Sequence, residues 1–275
     1  IKHTDANGVT RTGLEGAAVY FIPNFEGLTF KKFLYIVLDA MGQLFYSLSI
    51  AMGIMITYGS YMKKDANLVK SVNQIEIFDT GIALLAGMMI IPAVYAFSGT
   101  EGMSAGPGLM FITLPKVFAS LGAFGEFIGL IFFVMVLFAA LTSAISILEA
   151  ITSSVMDKFK WSRKKATVIM AASTFVISIL VCLGYNVFYF DLKFPTGAVG
   201  QILDVLDYAS NNILMPIVGL LTCILIGWVV KPKTAIEEIT LNGEKFGRKT
   251  LYVVMIKVVA PILLFIILLT GLGVI

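Results

Sequence analysis

Apolar residues recur in long runs along the chain, at roughly 33–62, 79–99, 124–156, 165–189, 200–230 and 250–273. A helix that crosses a bilayer needs about 20 mostly apolar residues, so the pattern predicts six spans. Several runs exceed that minimum, which predicts tilted helices or ends that reach into water. Between the second and third runs, residues 99–123 are too polar to cross yet carry Leu109-Met110-Phe111-Ile112 and Leu114. That is the pattern of a re-entrant or surface-lying lid near 100–123. The chain thus divides into a polar segment over 1–32, five spans with their lid over 33–231, and a loop with a final span over 232–275.

Lys and Arg in the short loops set the orientation. Lys63, Lys64 and Lys70 fall in one loop, Lys158, Lys160, Arg163, Lys164 and Lys165 in a second, and Lys231, Lys233, Lys245, Arg248 and Lys249 in a third. The alternate loops hold only Lys116 and Lys193. The three basic loops are therefore expected in the cytoplasm, with residues 1–32 and the C-terminus outside. The formal net charge of +3 follows from this asymmetry and requires no nucleic-acid partner. Residues 1–32 lack a basic segment followed by an apolar run, so no signal peptide is visible. The sequence opens at Ile1 in what reads as an external loop, and the expectation is the later part of a longer chain.

Composition narrows the class. Of 275 residues, 58% are hydrophobic and 13% charged, where soluble domains carry about 45–50% and about 25%; the mean hydropathy is +0.93. A disordered region, a coiled coil, a nucleic-acid module and a disulfide scaffold are excluded. Cys182 and Cys223 lie inside apolar runs and read as space-filling thiols. The sequence holds no HExxH, phosphate-binding glycine loop or nucleophile–base motif, so an enzyme is not expected.

Ionisable groups within spans are costly and mark candidate function. Asp39, Glu126, Asp204 and Asp207 fall near the external ends, where a solvated helix terminus serves equally well as a reading. Lys257 can snorkel to the cytoplasmic interface. Asp79 opens the second run and would be an interfacial N-cap. Glu149 lies deeper and must be protonated, paired or facing water; no partner for it can be named from sequence.

Two stretches carry more. The first run clusters Ser47, Ser49, Ala51 and Gly53, residues that allow a helix to break and free backbone groups where a cavity is lined. Small residues at a helix–helix contact are the commoner explanation. In the third run Ala139, Thr142, Ser143 and Ile147 share one helical face. Their oxygens could hold a monovalent cation, or the hydroxyls could bond back to the preceding turn.

Several motifs are also ordered as in a known family. Gly42-Gln43 through Gly53, then Ile56-Thr57-Tyr58-Gly59-Ser60-Tyr61, are followed by Ile91-Pro92-Ala93, Phe111-Ile112-Thr113-Leu114-Pro115, Phe138-Ala139-Ala140-Leu141-Thr142-Ser143 and Leu203-Asp204-Val205-Leu206-Asp207. From about residue 20 to its end the chain resembles the bacterial branch of the neurotransmitter:sodium symporter family. The resemblance implies an all-α polytopic membrane protein with a LeuT-type inverted-repeat fold. Residues 33–231 would form the second repeat (the family's sixth to tenth helices), and an eleventh helix would follow. The first repeat, helices one to five, would be a missing N-terminal half.

Carried over by motif, the substrate pocket would include Tyr46, Ser47, Ser49, Met52, Ser143 and Ile147. Tyr46 and Met52 stand where the family's leucine-transporting member has phenylalanine. A pliable methionine suits a larger hydrophobic or aromatic amino acid, tyrosine being one family precedent. One sodium site would use Ala139, Thr142 and Ser143, and the other Ser47 with a ligand from the family's seventh helix. There the chain departs from the pattern: an ungapped count puts Phe78 at the ligand, and a one-residue shift gives Asp79. An acid at Asp79 implies that chloride is not required. Gln43 and Asp207 resemble an external gate, and Tyr61 and Asp157 a cytoplasmic one.

The resemblance implies sodium-coupled symport of a hydrophobic or aromatic L-amino acid by alternating access, in a bacterial inner membrane. Its partners would be the amino acid, sodium ions, the lipid bilayer and the N-terminal half. A membrane half that binds or stabilises a partner polypeptide without transporting is the alternative. A channel would want a repeated filter or rings of like charge, and neither is visible.

Overall fold

A computed structural model describes residues 2–4, 10–103, 108–195 and 199–274. Helix dominates, as expected of an all-α membrane protein. In order come a ribbon of β1 (Lys2–Thr4) with β2 (Thr10–Thr12), then α1 (Gly13–Phe21), α2 (Phe30–Ser47), α3 (Ile54–Tyr61) and α4 (Leu68–Ser98). A 3-10 turn at Thr100–Met103 precedes α5 (Leu109–Ser120), α6 (Gly122–Phe159) and α7 (Arg163–Leu183). A short ribbon of β3 (Leu192–Lys193) with β4 (Val199–Gly200) leads to α8 (Ile202–Val229), α9 (Pro232–Ile239) and α10 (Lys249–Gly271). The ladder widens to i→i+5 bonding at Tyr208–Leu214, Leu225–Val229 and Met255–Val259, within α8 and α10.

Among the described residues five helices, α4, α6, α7, α8 and α10, are long and apolar enough to cross a membrane. The expected first span is not one rod but two, α2 and α3, separated by residues 48–53. The second begins at Leu68, well before the apolar run at 79, so Asp79 is no interfacial N-cap: it lies three turns inside α4. Lys70, Asn73, Gln74 and Glu76 interrupt the apolar run there but sit readily in a helix. The fourth span stops at Leu183 rather than 189, where Gly184-Tyr185-Asn186 turn the chain. The segment expected to form a lid holds the helix α5, whose second half opens at Leu114-Pro115; residues 104–107 of that segment lie outside those described.

The chain folds as two compact units, residues 1–28 with 76–143, and residues 29–75 with 144–275. In the first, α1 starts in a capping box: the Glu15 N–H bonds the Thr12 hydroxyl, and Glu15 accepts from the Thr12 N–H. It lies flush on α4 because Gly16 faces Pro92, where an added Cβ would sit 2.7 Å from the Pro92 Cα. The Tyr20 hydroxyl donates to the Leu84 carbonyl at 3.2 Å. Val94, Leu114 and Phe132 form the core of this unit. In the second unit α10 packs along α8, with Leu264 buried over Gly219. The Tyr208 hydroxyl donates to the Gly271 carbonyl at 2.5 Å.

Candidate functional site

The break in the first span is built from its sequence. α2 closes with the N–H groups of Leu48, Ser49 and Ile50 bonding the carbonyls of Leu44, Tyr46 and Phe45 at 2.9–3.0 Å. The backbone then turns left-handed at Ser49 (φ 53°), Ala51 (φ 65°) and Gly53 (φ 80°). Glycine enters that region freely, whereas Ser and Ala each do so at a cost of about 1–2 kcal/mol. α3 resumes at Ile54, where the Gly53 carbonyl accepts both the N–H and the hydroxyl of buried Thr57 at 3.0 Å. An interrupted helix frees N–H groups at one end and carbonyls at the other. Strain of this kind persists where neighbours over-determine it and clusters at functional sites.

Beside this break, α2, α8 and α10 enclose a cleft of about 510 Å³. Gln43, Tyr46 and Asp207, expected in two different roles, line it together. Sequence reasoning missed Asn211, Asn212 and Thr270, and weighed Asp39 only as a helix-end charge; all four line the same cleft. The Asn211 amide donates to Asp207 Oδ1 at 2.6 Å, and the Ser210 hydroxyl to the Asp207 carbonyl. Two acids and three amides on facing helices can orient a zwitterion or a hydrated cation.

The other expected ligands follow their helices. Ser47 ends α2, while Ser49 and Met52 lie half-buried in the break. Ala139, Thr142, Ser143 and Ile147 stand exposed on α6. The Thr142 hydroxyl donates to the Ala139 carbonyl at 2.9 Å, the back-bonded alternative allowed by the spacing. That bond holds two oxygens at about the separation of neighbouring cation ligands. Asp79 is half-buried on α4.

At the far end of α3 the structure supplies the partner that sequence could not name for Glu149. Tyr61 donates to its Oε1 at 2.6 Å and Arg163, in the first turn of α7, to its Oε2 at 2.7 Å. Tyr58 bonds Ser146 one turn earlier. Glu149 is therefore paired, and Tyr61, expected beside Asp157, reaches Glu149 instead. Asp157 lies exposed near the end of α6.

A family model described as the sodium:neurotransmitter symporter family matches residues 6–274. An uncharacterized sodium-dependent transporter of Haemophilus influenzae is 35% identical over 94% of this chain and 54% of its own. Another from Bacillus subtilis, YhdH, is 31% identical over 95% and 56%. The crystal structure of MhsT in complex with L-phenylalanine superposes with a TM-score of 0.80 at 33% identity, over 94% of this chain and 56% of that one. The chain spans about half the length of the curated relatives it matches.

Proposed function

The chain belongs to the sodium:neurotransmitter symporter family, and from that premise we propose that it supplies one half of a symporter for hydrophobic or aromatic L-amino acids. Sodium entry would drive uptake by alternating access across a bacterial inner membrane. The observation that carries this reading is the cut between α2 and α3, held open by left-handed Ser49, Ala51 and Gly53. Broken helices at membrane depth are tolerated where they line a cavity, and their freed ends meet the charges of a zwitterion and its cation.

Within this reading Tyr46, Ser47, Ser49 and Met52 contact the substrate from the break, with Ser143 and Ile147 from α6. Thr142, Ser143 and the Ala139 carbonyl hold one sodium ion; Ser47 and Asp79 contribute to a second. The substrate carboxylate shared with that second ion couples the two, since each ligand then raises the affinity of the other by the same factor. Asp79 supplies the negative charge that makes chloride dispensable. Gln43 and Asp207 close the outer path, and Tyr61 and Asp157 belong to the inner one. The complex of MhsT with L-phenylalanine supports the aromatic end of the substrate range.

The test is uptake of labelled Tyr, Trp, Phe, Leu and Ala into proteoliposomes under a sodium or a potassium gradient. The protein expressed from its intact gene and this 275-residue chain are run side by side. Sodium-driven uptake by the first and none by the second is expected. Sodium-independent behaviour in both overturns the reading.

A further inference from the structure

The link between α8 and α10 carries positive charge that its own carboxylates do not balance. α8 ends at Val229, and Lys231 follows with φ at +71°, a left-handed backbone that residues other than glycine rarely adopt. Buried Pro232 then starts α9. Below this elbow a cleft of about 610 Å³ opens between α9 and the facing ends of α8 and α10. Lys231, Lys233, Lys249 and Lys257 line it, and Glu237 is the one lining carboxylate among the described residues. Lys249, Val253 and Lys257 recur at four-residue intervals, so one face of α10 presents both of its lysines to the cleft.

Glu237 is already engaged by Lys233 at 3.6 Å. Among the described residues no carboxylate lies within ion-pair distance of Lys231, Lys249 or Lys257. Lys257 is half-buried two turns inside α10, its stem packed beside Gly227. An ammonium group at that depth wants an anion. The exposed Trp228 indole closing α8 marks the same level as the membrane interface, on the face assigned to the cytoplasm by its lysines and arginines.

We propose that this cleft binds the phosphate headgroup of an anionic glycerophospholipid of the inner leaflet. The phosphodiester supplies the missing counter-charge at headgroup depth, where basic pockets between spans hold such lipids. Free phosphate offers the same oxygens but no acyl chains. Val229, Val254 and Met255 beside the cleft are exposed and apolar, a surface along which acyl chains lie. This inference does not depend on what the protein transports.

Native mass spectrometry of the protein expressed from its intact gene tests it, with phosphatidylglycerol, phosphatidylcholine of the same acyl chains and inorganic phosphate as probes. Phosphatidylglycerol is expected to be retained over phosphatidylcholine. Lys231→Gln, Lys249→Gln and Lys257→Gln should each weaken that preference roughly five-fold. The arginine versions should keep it, as should Lys158→Gln with Lys164→Gln. Equal retention of the two lipids, or a triple glutamine variant that keeps the preference, overturns the proposal. Displacement of the lipid by inorganic phosphate overturns it in favour of a soluble anion. A photoactivatable phosphatidylglycerol on the unaltered protein guards against misfolded variants: it should label residues 228–233 and 249–257, and labelling confined to other segments overturns the site.

Discussion

Tyr61 and Glu149 are joined by a 2.6 Å hydrogen bond between α3 and α6, and the second oxygen of the same carboxylate is taken by Arg163 of α7. One acid inside a span thereby fastens three helices, which is how a carboxylate at that depth is accommodated. Tyr61→Phe should cost about 1 kcal/mol of stability, the usual net worth of such a bond. Glu149→Ala should cost more, because it strands both donors. Arg163→Ala should cost least, since its side chain is 63% exposed and the ion pair is screened by water. Thermal unfolding of the three variants in one detergent gives the order; an Arg163 effect larger than that of Glu149 would refute the arrangement.

The left-handed positions in the break give a second prediction. Nothing lies within 4 Å of a Cβ placed on Gly53, so Gly53→Ala meets no clash and is penalised only by its backbone, at about 1–2 kcal/mol. Ala51→Gly relieves the same penalty and should be neutral or stabilising. If Gly53→Ala proved silent in thermal unfolding, the left-handed turn would not be present in solution.

Thr142 separates structural from ion-binding roles on α6. Thr142→Val removes the oxygen while keeping the shape, and under the proposed sodium site it should raise the sodium concentration for half-maximal uptake roughly ten-fold or more. Thr142→Ser should restore most of the affinity. Equal sodium dependence in all three proteins would leave Thr142 a merely back-bonded hydroxyl.

Asp79 makes an anion test possible. Replacing chloride by gluconate should leave uptake unchanged in the unaltered protein, whereas Asp79→Ser should become chloride-dependent. Anion-independent uptake by the serine variant would place the compensating charge elsewhere.

Apolar runs located α6, α8 and α10 within a few residues, because lipid demands a minimum length of unbroken hydrocarbon surface. They placed the start of α4 too late: Lys70, Asn73 and Glu76 are polar but helix-compatible, and a hydropathy pattern cannot see a helix that emerges from the membrane. Ser47, Ser49 and Gly53 signalled that the first span could break, without telling a break from a close helix contact. Arg163 looked like one more loop cation; its role depends on the short turn at 160–162, where Lys160 adopts φ 55°. Asn211, Asn212 and Thr270 were invisible as lining residues, since they are neutral and converge only once α8 and α10 have packed.

α3 has eight residues, about 12 Å of helix and too few to persist alone, so its order is borrowed from what grips it. The grips are evenly pitched: Tyr58 and Tyr61 meet Ser146 and Glu149, an interval of three on both helices, like two teeth in a rack. A slide of one interval, about 4.5 Å, would bring Tyr58 to the acid or Tyr61 to the serine. Such a slide breaks both present bonds and re-forms one, so the present register is the one that engages both tyrosines.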